Sequence, residues 1–328
     1  MKKLLTVLLA LCLCCASALA ADLTTNGGVA LDLSALPHQD ATAPAVVYFI
    51  SDISPESLVK AFQSLNVELP GKVGVKLSTG ESENSNYLRP TLIGDLVQML
   101  NGTTVECNTA YGGSRSSTAM HMQLAKDHGF TDIAEVDILD AEDNMELPIE
   151  GGNRLSVDYV GSHFANYDSF LVLSHFKGHA MAGFGGAIKN ISIGFGSAKG
   201  KGWIHSGGTS FTNIWGGEQD AFLEAMADAA KAVDSTMGDN IVYISVLNRL
   251  SVDCDCDGNP EEPDMHDIGI LASTDPLAID QAAIDLVYAM PDSGSLIERI
   301  ESRNGLHTLD AAEAVGLGSR AYNLVVIE

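Results

Sequence analysis

Apolar positions fall into short strand-like runs separated by longer stretches with helical spacing. The first run, Val46–Ile50, leads into Ser54-Pro55-Glu56. Here a capping hydroxyl, a ring fixed at a helical φ and an acid near the positive helix end predict a helix to Leu65. Residues 72–77 and 103–107 read as strands, with a helix opened by Arg89-Pro90 and running through Leu100 between them. Residues 117–128 read as helix, 134–139 and 170–173 as strands, and 187–193 as a short helix. Phe222, Met226 and Val233 share one helical face in an alanine-rich segment. Strands follow at 241–247 and 268–271, then a helix opened by Asp275-Pro276 and reaching Tyr288, and a last strand at 324–327. Strands alternating with helices of about ten to fifteen residues predict an α/β fold. Its sheet is expected to be mostly parallel and covered by helices on both faces, doubly wound and Rossmann-like.

That pattern begins at residue 46 and runs to 328, as one domain or two sub-lobes. Residues 21–45, rich in Thr, Gly and Ala and weakly periodic, read as a leader or poorly ordered arm. Residues 1–20 are of another kind. Lys2 and Lys3 precede an apolar run at 4–15, and Ala18-Leu19-Ala20 supplies a small-x-small cleavage pattern, so a signal peptide and a periplasmic or secreted protein are expected. The run is too short for a membrane span, and no later segment reaches about eighteen uninterrupted apolar residues.

Charge narrows the partners. With 18 Lys and Arg against 43 Asp and Glu, the formal charge is −25. Such a surface repels nucleic acid and anionic lipid, which excludes nucleic-acid binding and favours cations. Removal of the signal, with Cys12, Cys14 and Cys15, leaves Cys107, Cys254 and Cys256, an odd number that cannot all pair within one chain.

The chemistry concentrates at 174–196, S-H-F-K-G-H-A-M-A-G-F-G-G-A-I-K-N-I-S-I-G-F-G. It follows directly on the strand at 170–173, and strand ends are where open α/β sheets place ligands. His175 and His179 are four apart, a spacing that chelates metal if the segment is helical; a structural role for either histidine is the competing reading. Gly183, Gly185 and Gly186 precede the helix at 187–193, so backbone N–H groups there, with Lys189, can approach a small anion. The same glycines would also permit close helix–strand packing.

Asp253-Cys254-Asp255-Cys256-Asp257-Gly258-Asn259 is a second constellation. In an extended chain Cys254 and Cys256 project to one face, able to present two thiolates to a soft metal or to close a strained, redox-labile disulfide. With His179, His205 or His266 they would make a mixed sulfur and nitrogen site. Asp253, Asp255, Asp257, Gly258 and Asp264 also match positions 1, 3, 5, 6 and 12 of a calcium loop, although Pro260 is foreign to an EF-hand. An acidic surface turn is the third reading. Elsewhere, Asp275 reads as a helix cap, Asp280 and Asp285 as solvated or polar faces of the same helix, and Cys107 as a buried apolar residue. Trp203 reads as a pocket wall or a core residue.

H-F-K-G-H-A-M-A-G-F-G-G-A-I-K-N, together with D-I-G-I-L-A-S-T-D-P-L-A-I-D-Q-A-A-I-D-L at 267–286, resembles a widespread bacterial domain family of unknown function often labelled iron–sulfur or ferredoxin-like. Many members carry a ferredoxin module with two four-iron clusters. No C-x-x-C-x-x-C run is present here, and three cysteines cannot supply four thiolates, so no four-iron cluster is expected. A more distant resemblance is to the N-terminal domain of nickel-dependent lactate racemases. His179, Gly183-Phe184-Gly185-Gly186, Lys189 and His205 reproduce that family's order and its intervals of ten and sixteen residues. The resemblance implies an acid/base role for His179, a cofactor-bearing lysine at Lys189 and a nickel ligand at His205. A further histidine-arginine pair aligns with Ser114-Arg115, where only Arg115 matches. With that histidine missing, and an export signal without twin arginines, the pocket carries over and the covalent nickel cofactor does not.

The expected function is an exported metal-binding protein, metal-dependent and redox-active, with His175, His179, His205, Cys254 and Cys256 holding iron, zinc or nickel and a redox protein as partner. The alternatives are an enzyme moving a proton on a small carboxylate, with His179 and Lys189 catalytic and Arg115, Gly183, Gly185, Gly186 and Lys189 binding the anion, or a non-catalytic accessory domain.

Overall fold

A computed structural model describes residues 22–84 and 86–327. The signal peptide expected at 1–20 lies outside the described residues. The chain opens with a hairpin of β1 (Asp22–Thr24) and β2 (Ala30–Asp32), then alternates β3 (Val46–Ile50), α1 (Pro55–Ser64), β4 (Val73–Lys76), α2 (Pro90–Met99), β5 (Thr103–Glu106), α3 (Thr118–Asp127) and β6 (Val136–Ile138). A second hairpin, β7 (Asn144–Pro148) and β8 (Val157–Gly161), precedes the central strand β9 (Ser169–His175). Next come a small hairpin, β10 (Lys177–His179) and β11 (Gly183–Gly185), and the helices α4 (Ala187–Ser192), α5 (Ala198–His205) and α6 (Gln219–Met237). The chain ends with β12 (Ile241–Leu247), β13 (Gly269–Ser273), α7 (Pro276–Ala289), α8 (Gly294–Ser302), α9 (His307–Ala314) and β14 (Asn323–Val326).

Eight strands form one sheet in the order β14-β3-β13-β12-β9-β4-β5-β6. All pairings are parallel except those of β13, which runs against both β12 and β3. The expected mostly parallel sheet is therefore present, with one reversed strand that apolar periodicity cannot reveal. All seven residues of β9 are buried. Phe170 and Val172 join the core on one face with α4, α6 and α7, while Leu171 and Leu173 join the other with α1 and α2. Each such side chain contributes about 1.5–3 kcal/mol by leaving water, which fixes β9 between two layers of helices.

Residues 22–45, read from sequence as a leader or arm, are folded onto this body. Leu23, Leu31, Leu33 and Leu36 are buried in the larger core, and the N–H groups of Asn26 and Gly27 donate to Ile268 and Asp267.

From β4 the chain steps outward through β5 and β6, and from β9 it steps the other way to β12. Between β4 and β9 the winding reverses, and in parallel sheets a crevice opens there beyond the carboxyl ends of the strands. Lys76 ends β4, Glu106 ends β5 and His175 ends β9, so three ionisable groups stand at that crevice.

Candidate functional site

A cavity of about 410 Å³ occupies the crevice. Arg115, His175, His179, Gly185, Gly186, Lys189, His205, Cys254 and Cys256 all line it, with Asp253 and Asp257 but without Gly183, Asp255, Asp264 or His266. Lys76, Lys177 and Lys201 join Arg115 and Lys189 in the wall, so five of the chain's 18 basic residues meet in one pocket of an acidic protein.

The glycine-rich stretch builds one side. Lys177 and His179 sit on β10, paired antiparallel with β11, so neither His175 nor His179 is helical and the chelating geometry does not form. The turn between the strands needs Gly183 at φ +81. Gly186 then starts α4, where the N–H groups of Ala187 and Ile188 donate to the Asp280 carboxylate at 2.7 and 2.9 Å. A Cβ on Gly186 would lie 2.2 Å from Asp280 Oδ1. The helix start expected to receive a ligand anion is thus filled by the protein's own carboxylate. Asp280, expected on a solvated or polar face, is fully buried, and burial pushes it up to about 7 against those two N–H groups. Asp285 is likewise buried, between Tyr322 Oη, Gln281 Nε2 and His38. Asp275 caps α7 as expected, accepting from Leu277 and Ala278.

The three histidines differ in what their rings can offer. His175 Nδ1 is 2.9 Å from Asp255 Oδ1 and Nε2 is 2.7 Å from the Asn248 carbonyl, so both ring nitrogens are engaged by acceptors of the protein itself. His179 Nδ1 accepts from the N–H groups of Met181 and Ala182 at 3.1 and 2.9 Å, which places its proton on Nε2, facing Cys256 Sγ at 3.8 Å. Burial, then Lys189, His205 and Lys177, hold it well below the usual histidine range, so it is a neutral hydrogen-bond donor. His205 is the opposite tautomer. Its Nδ1 donates to the Lys201 carbonyl at 2.7 Å, leaving the Nε2 lone pair free, and burial holds it down at about 4. Phe222 stacks on its ring at 4.8 Å.

Cys254 and Cys256 arrive from the loop between β12 and β13. They share a face through a turn rather than an extended chain, with Asp257 N–H donating to Cys254 O at 2.9 Å. Asp255 between them points away, clamped by His175 and by Lys177 Nζ at 2.9 Å. The two sulfurs and a His179 nitrogen lie within 4.8 Å of one another, a group that could hold a metal. The thiols share a proton: the hydrogen bond from Cys256 first, then Lys189 and Lys177, lowers Cys254 to about 5, and Cys256 is correspondingly raised.

The calcium template fails on direction. Asp253 holds Arg299 and the N–H of Glu261, Asp255 holds His175 and Lys177, Asp257 caps Asn259 N–H, and Asp264 accepts from Ser295. Four carboxylates, each spent on partners of its own, do not converge on an ion. Trp203, a possible wall by sequence, donates to Val157 O and stacks on Phe211, while Trp215 lines the cavity instead. Cys107 also lines it, but its Sγ donates to Phe195 O at 3.2 Å and burial pushes the thiol up to about 12.

Sequence reasoning missed Lys76, Glu106, Lys177 and Lys201, although a charge closing an otherwise apolar strand was a readable signal for the first two. Glu106 would be raised by burial, but Lys76, Arg115 and His121 hold it at about 2. Burial lowers Lys76 to about 8 despite Glu106. Arg115 Nη1 reaches Glu106 at 3.2 Å, whereas its buried Nε and Nη2 have no hydrogen-bond partner.

Residues 73–285 match the family model described as a domain of unknown function (DUF362), and the chain belongs to that family, the one expected from its motifs. No curated protein matches. Among solved structures, the lactate racemase apoprotein from Thermoanaerobacterium thermosaccharolyticum is 14% identical with a TM-score of 0.43, over 82% of this chain and 62% of that one. A Thermotoga maritima structural-genomics protein is 11% identical with a TM-score of 0.43, over 71% and 57%. The chain thus spans less than two thirds of either protein.

Proposed function

We propose that the chain is an enzyme that binds a small carboxylate in the cavity and moves a proton on it. The observation that carries this reading is a pair of cations with donors to spare at the cavity. Arg115 spends Nη1 on Glu106 and stands with Nε 3.6 Å from Glu81 Oε2, but keeps a buried Nη2 without a hydrogen-bond partner, and Lys189 reaches the same cavity from α4. A buried guanidinium with idle donors costs about 1–3 kcal/mol, a cost that an entering carboxylate offsets with charge-assisted hydrogen bonds. The two histidines divide the proton chemistry: His205 offers a lone pair that can accept a proton, and His179 offers an N–H that can stabilise the charge developing on the substrate. In this division His179, expected as the acid/base, acts as a neutral donor.

The test is calorimetric titration with a panel of small 2-hydroxy, 2-keto and amino carboxylates, followed by NMR of the bound compounds in heavy water. Saturable binding and exchange of the α-proton for deuterium are expected. Absence of binding by every carboxylate would sink the reading, and binding without exchange would sink its catalytic half.

The sulfur and nitrogen group supports a second reading of the same cavity as a soft-metal site for iron, zinc or nickel. The sulfurs of Cys254 and Cys256 and a ring nitrogen of His179 suit such ions. His175 does not join them, because both its ring nitrogens are engaged by Asp255 and the Asn248 carbonyl. Elemental analysis of the purified protein and of Cys254→Ser decides it: no bound metal in the first, or equal metal in both, removes this reading.

A further inference from the structure

Carboxylate binding leaves the two cysteines of the β12–β13 loop without a task, yet their placement is specific. The turn closed by Asp257 N–H and Cys254 O draws residues 254 and 256 closer than an extended chain would. Disulfides form when Cα atoms lie about 4.4–6.8 Å apart, and the first and third residues of a turn fall in that range. The turn is held by its middle residue, because Asp255 is buried and bonded on one oxygen to His175 and on the other to Lys177. Both sulfurs consequently face the cavity, where a small reagent can reach them.

The surroundings of the sulfurs also differ from a packed core. The Cys256 N–H points at Cys254 Sγ at 3.4 Å, and His179 Nε2 lies 3.8 Å from Cys256 Sγ. The backbone N–H aimed at Cys254 Sγ singles that sulfur out as the acceptor of the pair and so as the attacking one. Cys107, in the same wall, has none of this and donates to a backbone carbonyl.

We infer that Cys254 and Cys256 are a redox dithiol that exchanges with low-molecular-weight disulfides, Cys254 attacking and Cys256 resolving. The Cys254 thiolate attacks one sulfur of the external disulfide, forming a mixed disulfide and releasing one thiolate. The Cys256 thiol then attacks the Cys254 sulfur, closes the protein disulfide and releases the second small thiol with the proton that Cys256 gave up. The protein dithiol loses two electrons, and the external disulfide gains them as it becomes a thiolate and a thiol. A dithiol reductant reverses the cycle. The inference does not depend on the carboxylate reading, since neither Arg115 nor the substrate takes part.

Reduced protein is incubated with bis(2-hydroxyethyl) disulfide, a small uncharged reagent, and followed by intact mass and peptide mapping. The wild-type chain is expected to lose two hydrogen masses with the change mapped to Cys254 and Cys256, reversibly on adding dithiothreitol. Cys256→Ser is expected to accumulate a mixed disulfide on Cys254, and Cys254→Ser to react at least about tenfold more slowly than wild type. Circular dichroism on each variant checks that it is folded, and the substitutions change only one atom. A wild-type chain that keeps both thiols free, or a Cys256→Ser protein that traps no adduct at Cys254, overturns the inference. Carboxylate titration of the reduced protein, run alongside, tests the enzyme reading separately.

Discussion

At the start of α4, two backbone N–H groups meet a carboxylate from α7; in the wall of the adjoining cavity, Arg115 keeps a buried Nη2 without a hydrogen-bond partner and Lys189, two residues into α4, makes no hydrogen bond among the described residues. Both places are built to hold negative charge, the first with helix dipole and N–H groups, the second with side-chain cations. The protein has closed the first with Asp280 and left the second open. A ligand site is therefore marked by donors that remain unsatisfied when the chain has finished folding, and a glycine-rich helix start is not such a mark once another element has capped it.

The most severe way to break this contrast is to empty the filled place. Asp280→Ala orphans two buried N–H groups and leaves a hole, and is expected to lower stability by about 3–5 kcal/mol in denaturant unfolding. Survival of the fold with a loss under about 1 kcal/mol would show that the α4 cap matters little.

A gentler test uses pH. Asp280 is raised from 3.8 to about 7, so the folded protein keeps this proton longer than the unfolded chain does. Its contribution is fully present below about pH 4 and is lost as pH rises through 7. The stability difference between wild type and Asp280→Asn should fall over that window by a few kcal/mol, on the order of one per pH unit. A difference that is flat between pH 4 and 7 contradicts a buried, proton-holding Asp280.

The open place should respond in ligand affinity rather than in folding. Lys189→Met is expected to weaken carboxylate binding about 10- to 100-fold while leaving the melting temperature nearly unchanged, because the ammonium makes no hydrogen bond among the described residues. An equal loss of affinity and stability would mean that Lys189 belongs to the fold. The smallest effect is expected at Cys107→Ala. Cys107 touches the cavity but spends its thiol on Phe195 O, so carboxylate affinity should change less than about twofold in the same titration.

Much of the fold was legible because apolar runs and helix caps are local. Ser54-Pro55, Arg89-Pro90 and Asp275-Pro276 each open a helix where the sequence places one. Strand direction is not local, and the reversal of β13 carried no periodic signature. At the site, the spacing of His179, Lys189 and His205 placed all three in one cavity, since β10, β11, α4 and α5 follow each other closely in the chain. Contacts that cross the chain were not readable. Asp280 meets α4 from 93 residues away, so an acid on a helix face looked solvated. The carboxylates of Asp253, Asp255, Asp257 and Asp264 had calcium-loop spacing, but spacing does not say where a side chain points. Lys76 and Glu106 were absorbed into strand runs whose ends became the cavity floor.

Because β13 runs antiparallel to β12, the loop carrying Cys254 and Cys256 leaves and returns at the same rim of the sheet, with no crossover helix to thread. Its path is set instead by side-chain anchors, Asp255 held by His175 and Lys177 and Asp253 by Arg299. The two sulfurs are not among those anchors. The rim is a place where descent, or an engineer grafting segments between homologues, can alter thiol chemistry without renegotiating the scaffold.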